Sequence, residues 1–247
     1  MSRNLSRRSL LAGGVAAAVA AIGVAATAAG RRFGLVPPDA EGVFAAGNTL
    51  NYAAHRIFSR NALAREFPRS AISAKPFANK IDVSAEVFAR HQAEQFANWR
   101  LDVGGLVDSP TPLSIESLRG MEVRSQITAL TCEEGWSYVA EWTGTPLSAI
   151  LQARGIRPSA KYVVYFAADG WWDSIDIDDA MHPQTLVTWG MNGGDLPVKF
   201  GGPLRMRVPR QLGYKSVKFI DRLLVTDSVA DLKITTNARS YAWYSGI

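Results

Sequence analysis

The chain has 247 residues, 47% of them hydrophobic and 20% charged, which suits a globular protein able to bury a sizeable core. Its formal charge of +5 is concentrated at the start: the first thirty residues carry Arg3, Arg7 and Arg8 and no acid, and 27 basic residues less those three leaves 24 against 22 acidic. That near balance, with no dense basic patch downstream, excludes a nucleic-acid-binding protein, and a single cysteine, Cys132, excludes any intramolecular disulfide.

Ser6-Arg7-Arg8-Ser9-Leu10-Leu11 is a twin-arginine pattern, followed by a charge-free run rich in alanine and glycine from Ala12 to Gly30. We read residues 1–30 as the signal of the twin-arginine export machinery, which carries proteins to the periplasm after they fold. The apolar run is also just long enough to remain as a membrane tether. Export after folding implies that a cofactor is inserted beforehand. Residues 31–48 read as a linker and 49–247 as one domain. Within it, Thr49 to Arg65 is expected to be partly helical. Asn51 and His55, four apart, would then share a face and could reach one ligand, or be a capping Asn and a solvent-facing His.

Residues 68–82 read as a surface loop and 85–98 as a short amphipathic helix or an irregular segment. Trp99 to Val107 alternates as a strand, and Leu113 to Arg119 is a short helix ended by Gly120. The alternating run Glu122 to Leu130 predicts a strand leading into the loop Thr131-Cys132-Glu133-Glu134-Gly135-Trp136. Pro146 to Arg154 is a helix, with proline in its first turn and Gly155 beyond its end. Tyr162 to Phe166, Asp173 to Ile177, Leu186 to Trp189, Leu204 to Val208 and Val217 to Val225 are strands. The fold class is α+β, a single domain with a mixed sheet and short helices inserted among the strands.

Cys132, where a strand gives way to a polar loop, has three open roles: nucleophile, metal ligand or small buried hydrophobe. As a nucleophile in a hydrolase or transferase it would need His182 as base and Asp178 or Asp179 to orient that base. Glu133 and Glu134 oppose this, since they raise a thiol pKa, whereas a bound metal cation reverses the objection. His55, His91 and His182 have no paired spacing for a conventional zinc site. Phosphate-loop, dinucleotide and serine-elbow motifs are absent. A second constellation is Gly201-Gly202-Pro203-Leu204-Arg205-Met206-Arg207-Val208-Pro209 with Gly213-Tyr214-Lys215-Ser216-Val217-Lys218. Glycines allow close backbone approach, Arg205 offers a planar fork, and Lys215 and Lys218 add charge. On a strand–turn–strand this makes an anion site or an ordinary hairpin with surface lysines.

Several motifs occur in a familiar order: Thr131-Cys132-Glu133-Glu134-Gly135-Trp136 with Trp142-Thr143-Gly144-Thr145-Pro146-Leu147, then Asp169-Gly170, Asp179-Ala180-Met181-His182-Pro183-Gln184, Met191-Asn192-Gly193, Gly202-Pro203-Leu204-Arg205 and Gly213-Tyr214-Lys215. Together they resemble the molybdopterin-binding domain of the sulfite oxidase fold, and most of all its methionine-sulfoxide reductase branch, over residues 97–226 and more loosely over 49–77. The resemblance implies an exported oxidoreductase that carries molybdenum and molybdopterin and transfers an oxygen atom to or from a small-molecule or protein-bound S-oxide. It implies that Cys132 ligates molybdenum. Asn51, His55, Asp169, Arg205, Gly213, Tyr214, Lys215 and Lys218 then hold the pterin and its phosphate. Electrons pass through a separate redox partner, a membrane haem protein, since no Cys-x-x-Cys-His stands in this chain. The family often has a hydroxyl residue at Ala167 and Asn or His at Phe200, and the Cys-Ala-Gly-Asn-Arg-Arg pattern of sulfite oxidases proper is replaced here by Glu133-Glu134-Gly135. A protein that keeps the fold as a non-catalytic exported binding module is the remaining alternative.

Overall fold

The structure is a computed structural model that describes residues 30–79, 86–236 and 241–247, so the twin-arginine segment, apart from Gly30, lies outside the described residues. The strands are β1 (Arg100–Gly105), β2 (Leu113–Ser114), β3 (Arg124–Thr131), β4 (Ser137–Pro146), β5 (Tyr162–Ala167), β6 (Trp172–Asp176), β7 (Leu186–Met191), β8 (Gly194–Asp195), β9 (Arg205–Arg207) and β10 (Ile220–Thr226). The helices are α1 (Ala45–Phe58), α2 (Glu86–Ala93), α3 (Ile115–Arg119), α4 (Leu147–Ala153) and α5 (Ile177–Ala180).

One sheet runs β2-β1-β10-β5-β6, and it is mixed because β1 and β10 pair in parallel while its other neighbours are antiparallel. The other runs β3-β4-β7-β8, with β9 also pairing β7. Continuous apolar runs mark strands covered on both faces: Val163 and Tyr165 of β5 and Leu223 and Val225 of β10 lie in the main core. Leu147, Ile150 and Leu151 of α4, at helical spacing, pack onto that core.

The α+β class and the mixed sheet stand as read from sequence, and four local expectations change. Helix α1 begins at Ala45, inside the stretch read as a linker, and ends at Phe58. Strand β4, ten residues long and paired on both sides, is absent from the sequence reading because Gly144-Thr145-Pro146 looks like a turn. Gly144 is there for clearance: a Cβ on it would fall 2.3 Å from the Val187 carbonyl oxygen across the strand pair. The alternation from Asp173 ends in α5, capped by the Asp176 carboxylate accepting from the Asp179 amide. Finally, Gly213–Lys215 is a 3-10 turn and β10 starts only at Ile220, so no strand–turn–strand spans 204–225.

Helix α1 is fastened by polar groups. Its Tyr52 hydroxyl donates to Asp176 Oδ2 (2.8 Å), and Arg56 bridges Asp176 and Asp179. Asp179 also accepts from Arg210 and from Gln211 Nε2 (2.6 Å), which makes one buried network joining α1, α5 and the segment after β9.

Candidate functional site

Strand β3 delivers Cys132 to the base of the turn before β4. The turn is closed by the Cys132 amide donating to the Trp136 carbonyl (2.8 Å), and Gly135 takes φ +91° to let it close. The thiol is buried at 6% exposure and has two polar neighbours: Sγ donates to Glu133 Oε2 at 3.4 Å and lies 3.8 Å from Glu134 Oε2. Burial, with Glu133 and Glu134 adding their charge, pushes the thiol up to about 12. An unassisted thiolate is therefore scarce at neutral pH.

Opposite Cys132 stands the Gly213–Lys215 turn. A Cβ on Gly213 would meet the Thr131 carbonyl oxygen at 3.2 Å and Cys132 Cα at 3.5 Å, so glycine lets the two turns approach. Between them opens a cavity of about 260 Å³. Cys132, Glu133, Glu134, Asp169, Arg205, Gly213, Tyr214 and Lys218 line it, with Trp136, Trp171 and Tyr241 as aromatic walls.

The cavity borders an unusual store of positive charge. Arg205 and Arg207 alternate on β9, which turns both guanidiniums over the Trp142 indole, 5.5 and 5.3 Å from its centroid. Arg205 donates to the Ser216 and Phe200 carbonyls, and Arg207 to Thr128 Oγ1 and the Ala129 carbonyl. Arg207 Nε is buried without a partner. Among the described residues no carboxylate lies within ion-pair distance of Arg205, Arg207 or Lys218. Burial and the Arg205 charge push Arg207 down to about 9 and Lys218 down to about 8. Burial likewise lowers Arg205. A buried cation without an ion pair is costly, which makes Arg205 and Arg207, with the half-buried Lys218, candidates to face an anion.

Three residues read as site residues stand elsewhere. Lys215 is fully buried on the far side of its turn, with Nζ 2.6 Å from Asp173 Oδ1 and bonded to the Ser174 carbonyl. Its charge is matched by Asp173, and it does not line the cavity. Asn51 and His55 do share a face of α1, but that face meets the C-terminal segment: Asn51 Nδ2 donates to the Tyr244 carbonyl (3.3 Å), and the His55 ring packs on Tyr244 and Gly246. Nor does His182 line the cavity; its Nδ1 accepts from the Gln184 amide, and burial and Arg210 lower its pKa. The thiol thus has no histidine base beside it. Ala167 and Phe200 do not line the cavity either, and Phe200 packs with Tyr138 in the cluster around Trp142. Sequence reasoning missed Arg207, although its two-residue spacing from Arg205 is the strand signal for a shared face. It also missed Ser216, whose carbonyl and hydroxyl orient both arginines.

Residues 88–233 match the model of a known family, the oxidoreductase molybdopterin binding domain. The chain belongs to this family. Among its curated relatives, the putative protein-methionine-sulfoxide reductase subunit YedZ1 of Azospira oryzae is 36% identical over 172 residues, 70% of this chain and 64% of that protein. The protein-methionine-sulfoxide reductase catalytic subunit MsrP of Xanthomonas axonopodis pv. citri is 33% identical over 162 residues, 59% of this chain and 48% of that one. The chain therefore spans between about half and two thirds of the length of these relatives. The sulfane dehydrogenase SoxCD of Paracoccus pantotrophus shares the fold, with a TM-score of 0.54 over 72% of this chain and 48% of its own, at 20% identity.

The cofactor of the molybdopterin binding domain is molybdenum held by molybdopterin, and the residues present fit it. The cavity offers one soft thiol sulfur for the metal and cations for a phosphate, and near Arg205 the Arg207 Nε has no hydrogen-bond partner among the described residues. Among the described residues no cluster of three or more His, Cys, Asp or Glu could hold a metal by itself.

Proposed function

We propose that this chain is an exported oxidoreductase that binds molybdenum–molybdopterin between the Cys132 turn and the Gly213–Lys215 turn and reduces an S-oxide. One observation carries the reading: the only thiol shares its cavity with Arg205 and Lys218, cations that form no ion pair among the described residues. Cys132 is the protein ligand of the metal, because a coordinated thiol is deprotonated outright whatever its acidity when free. Arg205 would hold the phosphate with its planar guanidinium and Lys218 with its point charge, and Arg207, beside Arg205 over the Trp142 indole, would add to the positive field. Gly213 and Tyr214 offer backbone to the pterin, and Asp169 offers an acceptor for its N–H groups.

The bound group supplies two-electron oxygen-atom transfer. In net terms an S-oxide takes up two electrons and two protons and leaves as a thioether and water. Glu133 and Glu134 flank the thiol and oppose an anionic substrate such as sulfite. Trp136, Trp171 and Tyr241 give an aliphatic sulfoxide apolar walls. Relatives whose names carry "methionine-sulfoxide reductase" and "subunit" support this substrate class and a separate electron donor, which we assign to a membrane haem protein. Arg7-Arg8 and the weakly apolar run after them support export to the periplasm by the twin-arginine route. The thiol nucleophile reading has lost its base, since His182 does not border the cavity.

The test is to purify the chain from a molybdenum-replete host and measure metal and released pterin. Near-stoichiometric molybdenum that disappears in Cys132→Ser is the expected result. A metal-free protein that is active and is inactivated by thiol alkylation would overturn the assignment.

A further inference from the structure

Helix α1 is inverted relative to an ordinary surface helix. Its charged and hydroxyl-bearing side, Tyr52 and Arg56, points inward to Asp176 and Asp179. Its opposite side carries Leu50, Ile57 and Phe58, which are 73%, 59% and 84% exposed. At 100° per residue, Gly47, Leu50, Ala54, Ile57 and Phe58 form one continuous stripe diametrically opposite Tyr52 and Arg56, and Phe44 at the N-cap continues it. Among the described residues, seven of the ten large exposed hydrophobic side chains fall between residues 33 and 63. An apolar patch gathered in this way marks an interaction surface.

We propose that the outer face of α1 lies in the interface of an anionic phospholipid bilayer, as a helix parallel to the membrane plane. The charge pattern of the helix itself suits that occupant: no acidic residue occurs from Val43 to Arg65, and Arg31, Arg32 and Arg65 are exposed with no ion pair among the described residues, while Asp39, Glu41 and Glu66 lie outside that stretch. The chain outside the described residues favours it too. Its charge-free run ends at Gly30, beside Arg31, Arg32 and the exposed Phe33. The connector from there is tied to α1, since Asp39 Oδ2 accepts from Asn48 Nδ2 (2.8 Å) as well as from the Trp243 amide. Membrane contact of the N-terminal run would therefore hold α1 near the same surface. The rest of the domain would then be held with its orientation to the membrane set by α1 and by the Asp176–Arg56–Asp179 clasp behind it.

Hydroxyl-radical footprinting of the full chain, with and without phosphatidylglycerol–phosphatidylcholine vesicles, tests this through the side chains themselves. Oxidation of Phe44, Leu50 and Phe58 should fall at least about fivefold on vesicles, as expected for side chains seated below the headgroups. Leu50→Glu with Ile57→Glu should abolish that protection while leaving the melting temperature and cofactor content unchanged, because both side chains are on the solvent side. Undiminished oxidation on vesicles would overturn the proposal, as would protection that survives the double variant. Protection without lipid that grows with protein concentration would assign the face to a second copy instead, and protection only by a membrane protein fraction would assign it to a protein partner. A tether formed by residues 1–30 alone would bind the vesicles but leave the stripe reactive.

Discussion

Two groups of buried or half-buried cations lie close together in the chain and are built in opposite ways. Lys215 is sealed against Asp173, whose other oxygen accepts from Thr235 Oγ1 (2.8 Å), so that charge is matched inside the protein. Arg205, Arg207 and Lys218 bond to carbonyls and hydroxyls, the two arginines also lie over an indole face, and none of the three has an ion pair among the described residues, although Asp169 lines the cavity with Lys218. A matched ion pair in the interior is finished structure, whereas charge without an ion pair beside a cavity is what we propose holds an anion. The contrast separates a lysine that holds the fold from residues that hold a ligand, although both kinds come from the same glycine-rich, basic stretch.

The strongest challenge to this contrast is Asp173→Ala, which leaves the Lys215 ammonium buried and alone. It should cost about 3–5 kcal/mol by denaturant unfolding, the usual penalty for breaking a buried pair. A loss under about 1 kcal/mol would mean that Lys215 relaxes to water and is available to a ligand after all. Arg205→Ala should behave differently. It frees two buried carbonyls, a loss of about 1–3 kcal/mol, but relieves the charge pressing on Arg207, so the cofactor-free protein should lose less stability than Asp173→Ala does. Its molybdopterin content should nonetheless fall about tenfold or more, the scale of a charge-assisted phosphate contact of some 1.5–3 kcal/mol. Full occupancy in that variant would remove Arg205 from the anion site.

Smaller effects come from pH and from the thiol. The folded value of Lys218, about 8, lies below that of an unfolded lysine. Charging it therefore opposes folding fully below about pH 8, and that cost disappears as the pH rises toward the ordinary lysine value. A bound phosphate favours the charged form, so affinity for phosphate should decline as pH climbs through 8, and titration calorimetry at pH 7 and 9 would register it. Lys218→Arg, charged throughout, should flatten the profile. For Cys132, a thiol at about 12 should react with iodoacetamide at pH 8 far more slowly than a free cysteine. Glu133→Gln should speed alkylation modestly, and an unchanged rate would show that burial alone governs the thiol.

How much of this was legible beforehand depends on how local each determinant is. Cys132 stood out because it is unique and ends an alternating run, and Arg205 and Lys218 because of their glycine-rich context. Lys215 looked equivalent to Lys218 because nothing in the turn names its counter-charge, which sits 42 residues earlier. Asn51 and His55 were correctly placed on one helical face, but what that face meets is the C-terminal segment, almost two hundred residues on. Strand β4 was missed because Gly144 and Pro146 read as breakers. Glycine serves there as clearance for β7, and Pro146 closes the strand as the N-cap of α4.

The sequence by itself determined the elements whose signal is local: the alternating strands, the helix from Pro146, the polar loop holding the only thiol, and the family resemblance carried by their order. Only the tertiary structure decided which charges are satisfied and which wait for a ligand, and which side of α1 faces water. Burial and ion pairing depend on what folds against a residue, and those partners come from distant parts of the chain.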